Sequence, residues 1–115
     1  MSNDCIFCKI IAGEIPSTKM FEDERVTAFR DINPVASTHV LIIPKKHIPS
    51  INELTSGDEQ LIGHLFTTAK ELAAQEGIAE SGYRLIINTG ADGGQVVFHL
   101  HLHLIGGQKM RHPMG

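Results

Sequence analysis

The stretch Phe98-His99-Leu100-His101-Leu102-His103-Leu104-Ile105 alternates between imidazole and apolar side chains. Alternate side chains of a β-strand point to the same face, so this stretch predicts a strand with three histidines on one face and Phe98 with the leucines on the other. The apolar face is expected to pack against a helix. The histidine face must border water, a ligand or a metal, because three imidazoles in a dry core would each need partners.

Three interpretations of this histidine face remain open. It could be the polar outer face of a half-buried strand, although three histidines at every second position suit that poorly. It could bind a metal, since two histidines separated by one residue on a strand can share one ion. It could also perform nucleophilic catalysis, with one imidazole attacking while its neighbours orient it and hold an anion.

A glycine-rich loop, Thr89-Gly90-Ala91-Asp92-Gly93-Gly94, precedes this strand. Glycine allows the backbone to approach a ligand closely, and successive N–H groups can form a concavity that binds anions. Two adjacent glycines alone indicate only a tight turn. Next to three imidazoles, the loop suits a phosphate group and favours the catalytic interpretation.

The two cysteines lie close together near the start of the chain, in Cys5-Ile6-Phe7-Cys8. Two cysteines cannot form a disulfide framework, and a redox Cys-x-x-Cys motif normally follows a strand, which is not predicted here. The spacing fits half of a zinc site and a pair of small apolar residues on a short helix equally well. A zinc site needs two more ligands, for which the histidines are the candidates.

Composition limits the class of protein. The chain has 115 residues, enough for one domain, and its 42% hydrophobic content excludes extensive disorder. The formal net charge of −3 argues against general, charge-driven binding to nucleic-acid phosphates. No apolar run reaches the roughly 18 residues that a membrane span needs. No signal peptide is visible at Met1-Ser2-Asn3-Asp4, so we expect a cytoplasmic protein.

Short strands and two helices account for the remaining sequence. A short helix is predicted from Cys5 to Ala12, capped by Asp4, and a long helix from Ser56 or Asp58 to near Gly77. The predicted strands cover residues 19–21, 26–29, 39–43, 83–88 and 96–105. Strands that mostly follow one another through short links predict an antiparallel α+β domain over residues 1–115, with 106–115 as a C-terminal tail.

The motifs in combination resemble those of the histidine-triad (HIT) superfamily. The signature is the His-Leu-His-Leu-His-Leu-Ile run, and further stretches resemble the Hint branch over nearly the whole chain: residues 31–34, 38–47, 83–88, 93–95 and 106–107. The resemblance implies a HIT-like fold, a five-stranded antiparallel sheet with one short and one long helix. It also implies a homodimer that joins two sheets and pairs the long helices.

The resemblance further implies a hydrolase that binds purine nucleoside monophosphates and needs no organic cofactor. Such enzymes cleave the P–N bond of adenosine or guanosine 5′-phosphoramidates through a covalent nucleotidyl-histidine intermediate on the middle histidine, here His101. One alternative is a nucleotide-binding partner module with incidental hydrolysis. Another is a metalloenzyme in which the triad itself holds a catalytic metal. We expect no nucleic-acid or membrane partner.

Individual site residues also follow from the resemblance. The implied catalytic residues are His101, His103, His39 and Asn88. The implied nucleotide-binding residues are Phe7, Ile10, Asp31, Ile32, Leu41, Asn88, Gly94, Gln95, Val96, Val97, His101 and His103. Other roles remain open, since Asp31 could cap the Asn33-Pro34 turn and the apolar residues could be ordinary core. Val96 replaces a hydroxyl residue of many Hint proteins, which predicts slower turnover or an altered leaving-group preference.

The resemblance also completes a metal site, because some HIT relatives bind structural zinc through Cys-x-x-Cys and two histidines. The matching residues here are Cys5, Cys8, His47 and His99. This Cys2His2 set is compatible with tetrahedral zinc and would tie the N-terminal helix to the triad.

Overall fold

The computed structural model describes residues 4–114. The helices are α1 (Ile6–Ile11) and α2 (Glu59–Gln75), and the strands are β1 (Lys19–Glu22), β2 (Val26–Arg30), β3 (Thr38–Pro44), β4 (Tyr83–Ile86) and β5 (Leu102–Gly106). The five strands form one antiparallel sheet in the order β1-β2-β3-β5-β4. The predicted fold class is thereby confirmed. The expected lack of a signal peptide involves residues 1–3, which lie outside the described residues.

The central strand β3 is buried along its whole length. Val40 and Ile42 belong to one apolar cluster with the residues of α2, whereas Leu41 and Ile43 belong to a second cluster with α1. The sheet is therefore covered on both faces. This explains why β3 has an uninterrupted apolar run rather than an alternating pattern.

Helix α2 covers one face of the sheet, contacting β3 and β5. Its buried side chains recur at helical spacing and include Leu65, Ala69 and Leu72, which meet Leu102 and Leu104 of β5 in the same apolar cluster. The predicted packing of the leucine face against a helix is confirmed.

The final strand is shorter than predicted, since β5 covers only Leu102–Gly106 instead of residues 96–105. The register pairs Leu102 with Ile42 of β3, so a longer ladder would place Leu100 opposite Pro44. Proline has no N–H to donate to a ladder. The N–H of Leu100 donates instead to the carbonyl of Ile48, 2.7 Å away.

The predicted burial of Phe98 is also wrong, because its side chain is 50% exposed. Residues 97–99 bend ahead of β5, so the strand alternation does not extend to Phe98. Strand β4 similarly ends at Ile86, opposite His103 of β5, rather than at residue 88.

The residues that cap the two helices differ from the prediction in their hydrogen bonds. The N-terminal cap of α1 is Cys5, whose sulfur accepts from the N–H of Cys8 at 3.2 Å, and not Asp4. Asp58 precedes α2 as predicted, but its carboxylate accepts from the N–H of Thr55 and from Lys46 Nζ instead of capping α2. Within residues 4–114, no helix is both long and apolar enough to cross a membrane.

The turn between β1 and β2 is held by Asp23, which accepts from the N–H groups of Arg25 and Val26 and pairs with His64 of α2 at 2.6 Å. This contact ties α2 to the turn. Partial burial would raise the pKa of Asp23, but the hydrogen bonds from His64 and the two N–H groups outweigh it and lower the pKa to about 2.

We predict that Asp23→Asn destabilises the protein at neutral pH and that this effect fades in acid. Asparagine keeps an oxygen for the turn but removes the charge. Because the folded-state pKa is lowered, the charge stabilises the protein above about pH 4, and the benefit is lost as pH falls toward about 2. Urea unfolding should give a loss of up to about 1 kcal/mol near neutral pH. With Asp92→Asn as the control, a loss that stays constant down to about pH 3 would contradict this explanation.

Candidate active site

A cavity of about 480 Å³ opens on the sheet face that carries α1. Its base is apolar, with Phe7 and Ile10 of α1 packed against Leu41 of β3. The lining brings together nearly all of the predicted catalytic and nucleotide-binding residues: Phe7, Ile10, Asp31, Ile32, His39, Leu41, Asn88, Gly94, Val96, Val97, His101 and His103. The volume is in the range of small-molecule binding pockets.

His101 is nearly buried, with 7% of its surface exposed. Its Nδ1 lies 2.8 Å from the backbone carbonyl oxygen of His99. A carbonyl can only accept, so His101 Nδ1 carries the proton and Nε2 carries the free lone pair. The ring of Phe7 packs edge-on against His101, with centroids 5.1 Å apart. The imidazole is thus fixed in orientation and tautomer.

A second hydrogen-bonded chain runs through His39 and His103. The N–H of Val35 donates to His39 Nδ1 at 3.2 Å, which places the proton of neutral His39 on Nε2. That nitrogen lies 3.0 Å from His103 Nδ1 and 3.5 Å from a carboxylate oxygen of Asp31. His103 therefore carries its own proton on Nε2. This buried N–H has no partner among the described residues.

Burial keeps both of these imidazoles neutral. It is the main cause that lowers the pKa of His103 to about 4, with further lowering by His101 and His39 against the opposing charge of Asp31. Burial also lowers the pKa of His39, again opposed by Asp31. Neutral His103 presents a hydrogen-bond donor beside His101, suited to an acceptor atom of a ligand.

The glycine-rich loop is braced by Gln95, which does not line the cavity. Its side-chain oxygen accepts from the N–H of Gly90 at 2.9 Å, and its amide donates to the carbonyls of Pro49 and Val97. A Cβ on Gly93 would collide with the carbonyl oxygen of Thr89. Gln95 was predicted to bind nucleotide, and in the structure its side chain braces the loop from behind.

Two backbone donors directly after the loop are available to a ligand. Of the four consecutive residues predicted to bind nucleotide, Gly94 and Gln95 use their N–H groups inside the loop, to the carbonyls of Ala91 and Gly90. The N–H groups of Val96 and Val97 have no partner in the described part of the chain. These two can therefore donate to an anion.

Sequence reasoning missed several residues that line the cavity, chiefly Ile6, Ile15 and Phe29. Phe29 could have been found, because it alternates with Ala28 along β2 and so lies on the face opposite α2. The contribution of Ile15 follows α1 and depends on the path of the chain, which no local pattern encodes.

The four predicted metal ligands form one cluster, in which all ligand atoms lie within 4.8 Å of one another. His99 Nδ1 lies 3.3 Å from Cys5 Sγ and 3.1 Å from His47 Nδ1, and Cys8 Sγ lies 3.3 Å from His47 Nδ1. Tetrahedral zinc, with bonds of roughly 2.0–2.3 Å, separates its ligand atoms by roughly 3.3–3.8 Å. The donor atoms therefore fit such a metal.

The orientation of the His99 ring also fits a metal bound by this cluster. His99 is fully buried, and its Nε2 donates to the carbonyl of Pro44 at 2.8 Å, which turns the lone pair of Nδ1 toward the cysteines. Burial, outweighing the opposing effect of Pro44, lowers the pKa of His99 to about 4. A neutral imidazole with its second nitrogen bonded to a carbonyl is the usual form of a metal-bound histidine.

The triad does not gather around a single metal. His99 faces the cysteines, and His101 uses Nδ1 for the His99 carbonyl. Within the described residues, the other group with ligand spacing is Asp31, His39 and His103. The hydrogen bonds already described account for its geometry without an ion.

Comparisons with known proteins identify the family of this chain. The HIT domain family model matches residues 12–110. The purine nucleoside phosphoramidase of Escherichia coli K12 is 53% identical over 110 residues, covering 96% of this chain and 92% of that protein. A HIT family hydrolase from Legionella pneumophila superposes with a TM-score of 0.94 at 54% identity, covering 97% of this chain and 100% of that one.

A HIT family hydrolase from Clostridium thermocellum is 50% identical and superposes with a TM-score of 0.95 over 99% of both chains. The family match and the two structures agree with the fold. The protein is a member of the HIT domain family.

Proposed function

We propose that this protein hydrolyses the P–N bond of purine nucleoside 5′-phosphoramidates, with adenosine or guanosine as the nucleoside, and that His101 is the nucleophile. The observation that carries the proposal is the hydrogen bond from His101 Nδ1 to the His99 carbonyl. It fixes the imidazole and leaves the lone pair on Nε2 free. The 53% identity to a purine nucleoside phosphoramidase supports the same activity.

The lining of the cavity suits each part of such a substrate. We assign the base to the apolar part of the cavity wall, formed by Phe7, Ile10, Ile32 and Leu41. We assign the ribose hydroxyls to Asp31, whose carboxylate lies at the cavity wall.

The phosphate would lie near His101, where the N–H groups of Val96 and Val97 and the side chain of Asn88 are the donors within reach. Fixed donors at the phosphoryl oxygens stabilise the charge that develops there. His39 has a positioning role, since its Nε2–H holds His103 Nδ1.

The reaction proceeds in two displacements. His101 Nε2 attacks the α-phosphorus, the new P–N bond to His101 forms, and the bond to the leaving nitrogen breaks. The leaving nitrogen keeps the electron pair of the broken bond and takes up a proton from solvent, so that it departs as the amine, with the Nε2–H of His103 placed to hydrogen-bond it or a phosphoryl oxygen. Water then attacks the nucleotidyl-histidine, which releases the nucleoside monophosphate and restores the neutral imidazole.

We predict that His101→Ala abolishes hydrolysis of adenosine 5′-phosphoramidate while leaving AMP binding largely intact. Loss of a covalent nucleophile should lower kcat by about 10³-fold or more, whereas most binding contacts lie elsewhere in the cavity. Steady-state kinetics and calorimetric titration with AMP measure the two effects. His64→Ala, a histidine outside the cavity, is the control and should retain activity.

The same experiment distinguishes the hydrolase from the alternative function, a nucleotide-binding partner module. A native chain that binds AMP but hydrolyses no phosphoramidate would favour a nucleotide-binding partner module. Activity retained by His101→Ala would exclude His101 as the nucleophile.

We also predict that Gly93→Ala weakens AMP binding by about tenfold, because the added Cβ collides with the Thr89 carbonyl and displaces the loop that presents the Val96 and Val97 N–H groups. Asp92→Ala, an exposed neighbour in the same loop, is the matched control. An unchanged affinity of Gly93→Ala for AMP would show that the loop does not contribute to phosphate binding.

We propose that Cys5, Cys8, His47 and His99 bind one structural zinc ion. Two soft thiolates and two imidazoles form a donor set that zinc favours. When bound, the zinc supplies a cross-link between α1 and the segment before β5, and it takes no part in bond cleavage. Burial, followed by the neighbouring Cys5, raises the pKa of Cys8 to about 11 in the metal-free site, so binding must displace the thiol proton.

We predict close to one zinc per chain in protein purified without added metal or chelator. Elemental analysis should give a near-stoichiometric value for the native chain and a large loss for Cys8→Ser. Removal of the ion should lower the free energy of unfolding by about 2–4 kcal/mol. A native chain that contains no near-stoichiometric zinc would refute the metal site, and His64→Ala serves as a control histidine variant.

We further propose that residues 1–115 form a single HIT domain that assembles as a homodimer in the cytoplasm. Strand β4 is an edge strand with one open ladder side, and Phe66 of α2 is 41% exposed; a second copy could cover both. Two cysteines present as free thiols suit a reducing compartment.

A further inference from the structure

The two cysteines of the chain, Cys5 and Cys8, lie side by side at the start of α1. The sulfur of Cys5 accepts from the N–H of Cys8 at 3.2 Å, and the two sulfurs lie within 4.8 Å of each other. The chain contains no other cysteine. Cysteines separated by two residues can form a disulfide, so these two are a matched pair.

The pair is accessible to small molecules. Both cysteines are only half buried, and a cavity of about 500 Å³ opens beside them, with Cys5 and His47 in its lining. A cysteine that binds a metal is a thiolate, which is the form that reacts with oxidants. A small oxidant can therefore reach a reactive sulfur at the proposed zinc site.

The segment that carries His47 connects this cluster to the phosphate end of the nucleotide cavity. The carbonyl of Ile48 accepts from the N–H of Leu100 at 2.7 Å. The carbonyl of Pro49 accepts from the side-chain amide of Gln95, also at 2.7 Å, and this same side chain braces the glycine-rich loop. A displacement of His47 therefore reaches the loop through two short hydrogen bonds.

The nucleophile is connected to the cluster by two further contacts. The backbone carbonyl of His99 accepts from His101 Nδ1 at 2.8 Å. Phe7 stands between the two cysteines in the sequence, and its buried ring packs edge-on against His99 and His101, with centroids 6.0 and 5.1 Å apart. The orientation of His101 therefore depends on the two elements that the cluster joins, α1 and the segment before β5.

We propose that Cys5 and Cys8 form a redox switch for hydrolysis. Oxidation of the pair to a disulfide removes the metal site and, through His47, His99 and Phe7, displaces the groups that hold the nucleophile and the phosphate. This inference rests on the proposed P–N hydrolysis and on the proposed zinc site.

The oxidant is hydrogen peroxide or another peroxide. One cysteine thiolate attacks a peroxide oxygen, the O–O bond breaks, and a sulfenic acid forms while hydroxide leaves and takes up a proton. The second thiolate attacks the sulfenic sulfur, the S–S bond forms, and hydroxide again leaves and takes up a proton. The two thiolates lose two electrons, the peroxide gains them, and two waters result. Two of the four metal ligands are thereby lost.

The test treats the native protein, with its zinc content measured first, with a small molar excess of hydrogen peroxide. Zinc released to a chromophoric chelator, remaining thiols, calorimetric AMP affinity and kcat/KM for adenosine 5′-phosphoramidate are then measured. We expect loss of both thiols together with the zinc. We expect kcat/KM to fall about tenfold or more, because a misplacement of about 1 Å can cost roughly a hundredfold. AMP affinity should fall about threefold, as one hydrogen bond to the phosphate weakens.

Reversal separates the disulfide from other oxidation products. Dithiothreitol followed by zinc should restore all four quantities, whereas it does not reduce methionine sulfoxide. Cys8→Ser cannot form the disulfide, so peroxide should change its kcat/KM by less than about twofold. His64→Ala retains both cysteines and should respond to peroxide as the native chain does.

Three results would overturn the switch. The first is zinc release that leaves kcat/KM and AMP affinity within about twofold of the untreated protein. The second is a treated native chain that keeps its zinc and both thiols. The third is a loss of activity on peroxide treatment that is as large in Cys8→Ser as in the native chain.

Circular dichroism at the assay temperature distinguishes a local switch from unfolding. The oxidised chain should stay folded, because the apolar cluster between α2 and the sheet contains none of the four metal ligands. An oxidised chain that unfolds at this temperature would overturn the switch.

The failures of the two underlying proposals are distinguishable from each other. A native chain that contains no zinc before oxidation refutes the metal site, and the switch fails with it. A native chain that contains zinc but does not hydrolyse the phosphoramidate refutes the proposed hydrolysis, and the switch again fails with it.

Discussion

The backbone carbonyl of His99 accepts a hydrogen bond from His101 Nδ1 at 2.8 Å, and the geometry of the site depends on where that carbonyl lies. Three contacts determine its position. The ring of His99 donates to the Pro44 carbonyl at the end of β3, its other nitrogen faces Cys5 and Cys8, and the N–H of the next residue, Leu100, bonds to the loop after β3. One residue thereby links the central strand, the N-terminal helix and the imidazole that faces the cavity.

Burial supports this arrangement electrostatically. An imidazolium placed in a largely apolar site would lose hydration without gaining a full counter-charge, so the neutral forms of His99 and His103 are favoured, each with a pKa of about 4. Asp31 opposes the lowering of the His103 pKa but does not outweigh the effect of burial. Neutral rings have one donor and one acceptor each, so every hydrogen bond determines a tautomer. The result is a set of imidazoles whose free lone pairs and N–H groups have defined directions.

Much of the architecture could be predicted from local patterns. The helical spacing in α2 and the apolar run of β3 each predict one element, and the alternation around His103 places imidazoles and leucines on opposite faces. The prediction failed at the start of β5, because the end of a strand depends on its neighbours as well as on its own residues. Pro44 stands where the ladder to Leu100 would continue, and a single-strand pattern contains no information about that register.

The site residues, too, include some that could be predicted from the sequence and some that could not. Side chains recognised by family resemblance line one cavity, because the motifs that carry them form its walls. Gln95 lies beside the loop in sequence but braces it from behind, through bonds to Gly90 and Pro49. Contacts of that kind join segments that are distant in the chain. The role of Gln95 therefore cannot be deduced from the type of residue alone.

The tautomer of His101 is the most direct test of this account. Long-range proton–nitrogen NMR correlations of the native, ligand-free protein at about pH 7.5 distinguish a protonated Nδ1 from a protonated Nε2. The account predicts a proton on Nδ1 of His101 and on Nε2 of both His99 and His103. A His101 ring protonated on Nε2 would occupy the lone pair that the proposed attack on phosphorus requires, and it would contradict the central claim.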